Sequence, residues 1–393
     1  MQQIQKQQNQ PVIKVGLRRK FVRGLTEWKL IDQIVNFIVA EDNGNNIELS
    51  SIRIDRESAC DGLITIVKTI GIPPTSPKPN ENTKSSTNSG ESDKSLYGED
   101  SIIMTIGKKE IIQKLLDCAA TESYGVASSR ALLNTFELAT ASKRRKKQST
   151  DPTAGPAIQP NDGKATVAAK MNNKNRLISW GVGLSMYHSI CENISTLING
   201  ITASFTDFYH HCCDAEKITE KSKIIFSSRR LNLITILAEM LEYGIQLNES
   251  DSVALLDGLN AMIIELKLSP EQQKIPVDTS NIWAYLFNLL FLFPENDLYH
   301  IQFYRIFLAA LKLNYEPSLR MLIQKSKFVT KAIGICKKKE NDSIETSRTL
   351  YGALLKCLNA MKLNCQCLHS KAFLRHYLDS HDVWKGFEEE LIV

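Results

Sequence analysis

Residues 283–300 read WAYLFNLLFLFPENDLYH, an apolar run that stops at Pro294 and leads into residues 296–300. The run belongs to a series of short helical blocks that extends from residue 230 to residue 393. A proline cannot continue a helix, because it lacks the backbone N–H and its ring clashes with the preceding turn. The stretch therefore predicts a helix that ends near Pro294, a turn at Asn296, and a second helix after it.

The rest of the chain repeats the helical pattern. Apolar residues recur three and four positions apart in segments 28–38, 55–70, 111–116, 131–138, 190–201, 231–241, 319–333, 350–361 and 372–378. Gly244 is placed to end one helix, while Ser318 after Pro317, Ser347 and Ser370 are placed to cap three others. No alternating apolar run is bounded by an Asn-Gly or Asp-Gly turn, so no strand is predicted.

These patterns predict an all-α fold, an α-solenoid of divergent HEAT- or armadillo-like helical repeats with disordered insertions. A compact helical bundle is the alternative. The expected organisation is a disordered N-terminus (1–20), helical repeats (21–142) with a disordered insertion (73–98), a basic and polar linker (143–165) and further helical repeats (166–393). The insertion contains residues 73–95, PPTSPKPNENTKSSTNSGESDKS, which offer almost no apolar surface to bury.

Charge and cysteine content narrow the class of protein. The net charge is +5, and one run carries five positive charges: Lys143, Arg144, Arg145, Lys146 and Lys147. The rest of the chain is then neutral, so the overall basicity argues only weakly for a nucleic-acid partner, and none is expected. The run is interpreted as a nuclear-import signal, a nucleic-acid tether or a plain loop. Nine cysteines without framework spacing predict reduced thiols in the cytoplasm or nucleus. Apolar stretches fall short of the roughly 20 residues that a membrane crossing needs.

The sequence offers few candidates for a catalytic or metal-binding site. The chain lacks a phosphate-binding Gly-Lys-Ser or Gly-Lys-Thr loop and a Gly-x-Ser-x-Gly elbow. Four potential zinc ligands, two histidines and two cysteines, stand in a row at residues 210–213, but consecutive side chains on a helix point about 100° apart and cannot converge on one ion. Cys365, Cys367 and His369 lack a standard zinc spacing. We therefore expect no catalytic, cofactor-binding or metal-binding residue and no enzyme.

A collinear series of motifs resembles the SAPS family, the regulatory subunits of protein phosphatase 6 and of its yeast counterpart. The matching pieces are, in order, 110–116 (EIIQKLL), 230–234 (RLNLI), the aromatic-rich helix 286–293, the Asn-to-His turn 296–300, 319–329 (LRMLIQKSKFV), Tyr351-Gly352 with Leu355, and 384–387 (WKGF). The resemblance covers roughly the C-terminal two thirds of the family's domain. Where the family has a Val-Glu pair after the turn, this chain has Phe303-Tyr304-Arg305.

The resemblance implies a scaffold without an active site, which binds a PP2A-like, type-6 Ser/Thr phosphatase catalytic subunit and directs it to substrates or ankyrin-repeat partners. Arg230, Asn296 and His300 are then the candidates for partner binding. The alternative for Asn296 and His300 is a structural one, in which they cap or brace the turn between two helices. The alternative function is a HEAT- or armadillo-type adaptor, in nuclear transport or elsewhere, that uses the basic run.

Overall fold

The computed structural model describes residues 29–39, 49–71, 105–120, 125–148, 182–203, 226–264, 281–341, 347–369 and 372–391. These residues form helices joined by turns, and none of them lies in a strand, which confirms the all-helical prediction. The chain divides into two compact units, residues 1–118 with 130–189 and residues 119–129 with 190–393. The predicted N-terminal segment 1–20 and the predicted insertion 73–98 lie outside the described residues.

The first unit contains α1 (Leu30–Val39), α2 (Leu49–Gly71), and most of α3 (Lys109–Ala120), α4 (Gly125–Gln148) and α5 (182–192). Helix α1 packs on α2 through an apolar stripe whose buried members are Ile31, Val35 and Ile38. Hydrogen bonds join the other helices: Lys114 Nζ donates to Asn36 Oδ1 (2.9 Å), Ser185 Oγ donates to the Gly107 carbonyl (3.0 Å), and Arg130 pairs with Asp61.

Helix α4 continues through the basic run to Gln148, whereas the sequence predicts a linker from residue 143. Lysine, arginine and glutamine have high helix propensity, so the backbone gains by extending the helix through them. The side chains of residues 141–148 lie outside the described residues, and so the role of this run as a nuclear-import signal stays a prediction.

The second unit is built around two consecutive helices, α9 (Ile282–Leu292) and α10 (Asp297–Leu313). All nine residues from Ile282 to Leu290 are buried, as expected for a helix that is apolar on every side. Helix α10 packs on both α7 and α13. The other helices of the unit are α6 (Ile194–Thr202), α7 (Ser228–Gly244), α8 (Glu249–Ala261), α11 (Glu316–Leu319), α12 (Phe328–Asn341), α13 (Arg348–Cys367), α14 (Phe373–Ser380) and α15 (Asp382–Glu388).

Local capping signals set many of the helix ends. Side-chain oxygens of Ser227, Asn248, Asn281, Asn296 and Ser347 each accept a backbone N–H in the first turn of the helix that follows. Helix α7 ends at Gly244, as the sequence predicts. The predicted cap at Ser370 is wrong, because α14 begins at Phe373 with Ala372 in the capping position and without a side-chain cap.

The single helix predicted over residues 319–333 is interrupted. Residues Arg320–Lys325 form a π-helical segment, and Lys327 has a positive φ of 55°. The Ser326 N–H bonds the Met321 carbonyl five residues back at 3.3 Å, and α12 starts afresh at Phe328. The restart places Phe328 against Phe287 and Phe307, with ring centroids 4.7 Å apart in both pairs. The free energy that this aromatic packing contributes offsets the helical hydrogen bonds lost at the interruption.

Candidate functional site

The turn between α9 and α10 is the part of the second unit in which the motif residues and exposed apolar side chains meet. Asn296 caps α10, because its Oδ1 accepts the Tyr299 N–H at 3.0 Å. Asp297 adds a carboxylate to the first turn, where the helix dipole favours negative charge. The structural alternative stated for Asn296 is therefore what the geometry shows.

His300 braces the same turn from inside. Its Nε2 lies 3.1 Å from the Phe293 carbonyl, so the neutral tautomer with its proton on Nε2 donates across the turn. The ring is buried, and burial lowers the pKa of His300, although the backbone of Phe293 and Thr349 opposes part of that effect. Nδ1 makes no hydrogen bond of standard geometry to the described residues. A buried, neutral imidazole of this kind is a structural element and does not reach a partner.

The start of α13 clamps the turn from the other side. The hydroxyls of Ser347 and Thr349 lie 2.7 Å and 2.6 Å from the Pro294 carbonyl. Ser347 also caps α13, since its Oγ accepts the Leu350 N–H at 3.5 Å. The proline that stops α9 thus has its free carbonyl bound by a helix more than fifty residues later in the chain, and the turn is held in one conformation.

The outer side of the turn carries an apolar surface with an acidic border. Leu298 and Ile301, one turn apart on α10, are 57% and 52% exposed. Glu295 and Asp297 beside them are also exposed. We name these four residues the turn patch. Two exposed aliphatic side chains next to each other on a capped helix end offer apolar area that a partner protein can cover.

An ion-pair network lies further along α10. Arg305 donates to both carboxylate oxygens of Glu242 at 2.8 Å, to Gln302 Oε1 at 2.8 Å and to Glu239. The Glu239 side chain is only 1% exposed, and that of Arg305 is 22% exposed. In the sequence, Arg305 stands out only as a departure from the SAPS pattern. Glu239 could have indicated its role, because Glu239 lies inside the apolar run of α7 and a buried carboxylate needs a counter-charge.

Arg230, the third candidate, is also inside the unit. It is 3% exposed, and its Nε donates to the Ile201 carbonyl at 2.8 Å while a terminal nitrogen donates to the Ala203 carbonyl. These carbonyls belong to the C-terminal end of α6, whose orphan acceptors a guanidinium satisfies well. Because Arg230 and His300 are buried, neither lies on the docking surface that the sequence assigned to them; only Asn296 is partly exposed.

Two buried cysteines, Cys60 and Cys357, do not resemble nucleophiles. Burial raises the pKa of Cys60 to about 11 and raises that of Cys357 further, so both thiols stay protonated at neutral pH. Among the described residues, no three His, Cys, Asp or Glu side chains are grouped so that they could hold a metal ion. Residues 210–213, with their two histidines and two cysteines, lie outside the described part of the chain.

Comparison of the chain with protein-family models, with curated proteins and with solved structures finds no match. Across the residues that the structure describes, no helix combines the length and the apolar character needed to cross a bilayer.

Proposed function

We propose that this chain is a non-catalytic scaffold subunit, which binds a PP2A-like, type-6 Ser/Thr phosphatase catalytic subunit and directs it to substrates. We also propose that its helices are divergent repeats of the HEAT or armadillo kind. The resemblance to the SAPS family motivates both statements. The observation that carries them is where the motif residues lie: those between residues 230 and 387 fall on successive helices of one unit and hold that unit together.

Supporting contacts are found in three motifs of the series. In the RLNLI motif, Arg230 caps α6; in the turn motif, Asn296 and His300 fix the start of α10. In the terminal WKGF motif, Trp384 and Phe387 are both buried. Apolar motif residues are buried in any helical fold, so the polar members Arg230, Asn296 and His300 are the ones that support the resemblance.

The turn patch is the surface on which we place the phosphatase. Its two aliphatic side chains offer apolar area, and its two carboxylates favour a partner whose apolar site has a basic rim. The clamped turn keeps the patch in place before binding, which lowers the entropy lost on association. We therefore expect Leu298 and Ile301 to supply most of the binding free energy and the acidic border to set the rate and the choice of partner.

The test is the binding of the purified phosphatase catalytic subunit to the immobilised full chain. The variant Leu298→Glu/Ile301→Glu should weaken binding about tenfold or more, because each tenfold corresponds to about 1.4 kcal/mol and two half-exposed aliphatic side chains provide at least that. The matched control is Leu363→Glu/Val383→Glu, which alters two other exposed apolar residues of the same unit. Wild-type chain that fails to bind the subunit overturns the proposal, and equal loss in both variants overturns the choice of surface.

A further inference from the structure

A second exposed surface of the same unit is strongly basic. Between residues 317 and 337 the chain has five lysine or arginine residues and no acidic residue, and one of the five, Arg320, pairs with Glu316. Lys325 ends the π-helical segment, Lys327 occupies the turn with positive φ, and Lys331 and Lys337 follow on α12. We name these four residues the lysine strip. Three of them are exposed and Lys331 is half-buried.

The burial pattern places the strip along the solvent side of α12. Residues 328, 329, 332, 333 and 336 are buried, whereas residues 327, 330, 334 and 337 are exposed, at the spacing of one helix face. The ammonium groups of Lys331 and Lys337 lie 5.7 Å from the ring centroids of Phe287 and Phe387. Within the described part of the chain, no lysine of the strip has a carboxylate within ion-pair distance.

We propose that the lysine strip binds an aspartate- and glutamate-rich linear segment of a partner protein. The role of this binding, which is to hold a substrate polypeptide near the phosphatase, rests on the proposed function. The binding of an acidic segment follows from the charge of the lysine strip alone. Four lysines without a carboxylate partner among the described residues attract a segment of opposite charge, and π-helical interruptions such as the one before α12 are frequent at functional sites.

The spacing of the strip fits an extended acidic segment. Lys331 and Lys337 are six residues apart on α12, which is about 9 Å at a rise of about 1.5 Å per residue, and Lys327 lies in the turn that precedes the helix. In an extended chain, alternate side chains on one face are about 6.7 Å apart. Carboxylates at every second position of such a segment therefore recur at a spacing comparable to that of the lysines along the helix. Gly334 lies on the same face, and no atom stands within 4 Å of where its Cβ would be, so a backbone can approach there.

Protein is a better occupant than nucleic acid. Single-stranded nucleic acid is held by a basic groove together with exposed aromatic rings on which bases stack. The rings beneath the strip are unsuited to stacking, because Phe287, Phe328 and Phe387 are buried. The half-buried rings beside it, Phe373 and Tyr377, already stack on each other at 5.8 Å, and Arg320 covers Phe373. The strip is also only about 15 Å long from Lys327 to Lys337, which matches about five extended residues and is short for a duplex site. Lysines act as point charges without fixed geometry, which suits a run of carboxylates more than a single phosphate.

The experiment is a fluorescence anisotropy titration of the full chain with a labelled peptide of about nine residues that carries glutamate at alternate positions. We expect binding at low salt that weakens as the ionic strength approaches about 0.3 M, because exposed charges are screened over distances of about 10 Å already at 0.1 M. The variant Lys325→Glu/Lys327→Glu should weaken binding about tenfold, since each exposed ion pair contributes a few tenths to about 1 kcal/mol and reversal turns attraction into repulsion.

The control variant Lys108→Glu/Lys312→Glu changes the net charge equally at two exposed lysines outside the strip, and should bind the peptide within about twofold of wild type. Equal weakening of peptide binding by both variants overturns the inference. The inference is also overturned if the wild-type chain binds an oligonucleotide of the same charge, or a peptide with one phosphoserine and neutral flanks, more tightly than it binds the glutamate peptide. The strip variant should still bind the phosphatase catalytic subunit. Peptide binding without phosphatase binding refutes the proposed function alone, and the reverse refutes this inference alone.

Discussion

Two glycines of the second unit should respond to the same substitution with opposite signs. Gly200 lies in α6, and a Cβ added there would stand 2.8 Å from Leu233 Cδ1 and 3.0 Å from Ala120 Cα. The backbone atom of Ala120 cannot rotate away, so α6 must shift. Such overpacking costs about 1–3 kcal/mol, against a gain of about 1 kcal/mol from replacing glycine by alanine in a helix. We expect Gly200→Ala to lower the free energy of unfolding by about 1 kcal/mol.

Gly334→Ala is the matched variant, because no atom lies within 4 Å of the added Cβ and the residue is exposed in α12. At this position the added Cβ meets no neighbour, so only the higher helix propensity of alanine acts, and the free energy of unfolding should rise by about 0.5–1 kcal/mol. The assay is urea unfolding followed by tryptophan fluorescence, supported by hydrogen exchange of α6 and α12 amides. If Gly200→Ala is as stable as Gly334→Ala, the close approach of α6 to Ala120 and Leu233 is wrong.

Three further predictions concern the interior of the second unit. Arg305→Met removes the positive charge that faces the buried carboxylate of Glu239, and should lower the free energy of unfolding by about 2–4 kcal/mol. Part of this stability should return as the pH falls, because the Glu239 carboxyl then becomes protonated and needs no counter-charge. Thermal unfolding at pH 7.5 and at pH 5 tests both expectations. Burial lowers the pKa of His300, so the unfolded state binds a proton at a higher pH than the folded state does. The wild-type protein should therefore lose stability as the pH falls below about 6.5. In melting curves, His300→Gln should make the melting temperature less dependent on pH over that range. Phe328→Ala should cost about 3–5 kcal/mol in urea unfolding, whereas Phe37→Ala, at a half-exposed ring, should cost less than about 1 kcal/mol.

Features determined by neighbouring residues could be predicted from the sequence. Pro294 stops α9, Gly244 ends α7 and Ser347 caps α13, and each acts on backbone groups within a few residues. The interruption before α12 could not be predicted, because Ser326 and Lys327 carry no glycine or proline signal. Lysine adopts a positive φ there only because Phe328 gains its place in the aromatic core.

The candidate site divides in the same way. The capping role of Asn296 follows from its place before a helix, whereas the burial of Arg230 depends on carbonyls of α6, twenty-seven and twenty-nine residues earlier in the chain. An arginine at a helix start is expected at the surface, and no local pattern reports the tertiary contact that buries it. The exposure of Leu298 and Ile301 could not be predicted either, because apolar residues three apart are typical of a core stripe and only the packed structure shows them at the surface.

Within the described part of the second unit, His300 and Cys357 are interior groups, whereas the turn patch and the lysine strip face solvent. His300 braces a turn and burial raises the pKa of Cys357, so neither of these two side chains is presented at the surface. The turn patch exposes aliphatic area with carboxylates, and the lysine strip exposes ammonium groups. Apolar area and charge provide noncovalent binding. Two surfaces of contrasting chemistry on one compact unit suit the scaffold proposed above, which has to hold an enzyme and its substrate at once, because a partner suited to one surface is repelled by the other.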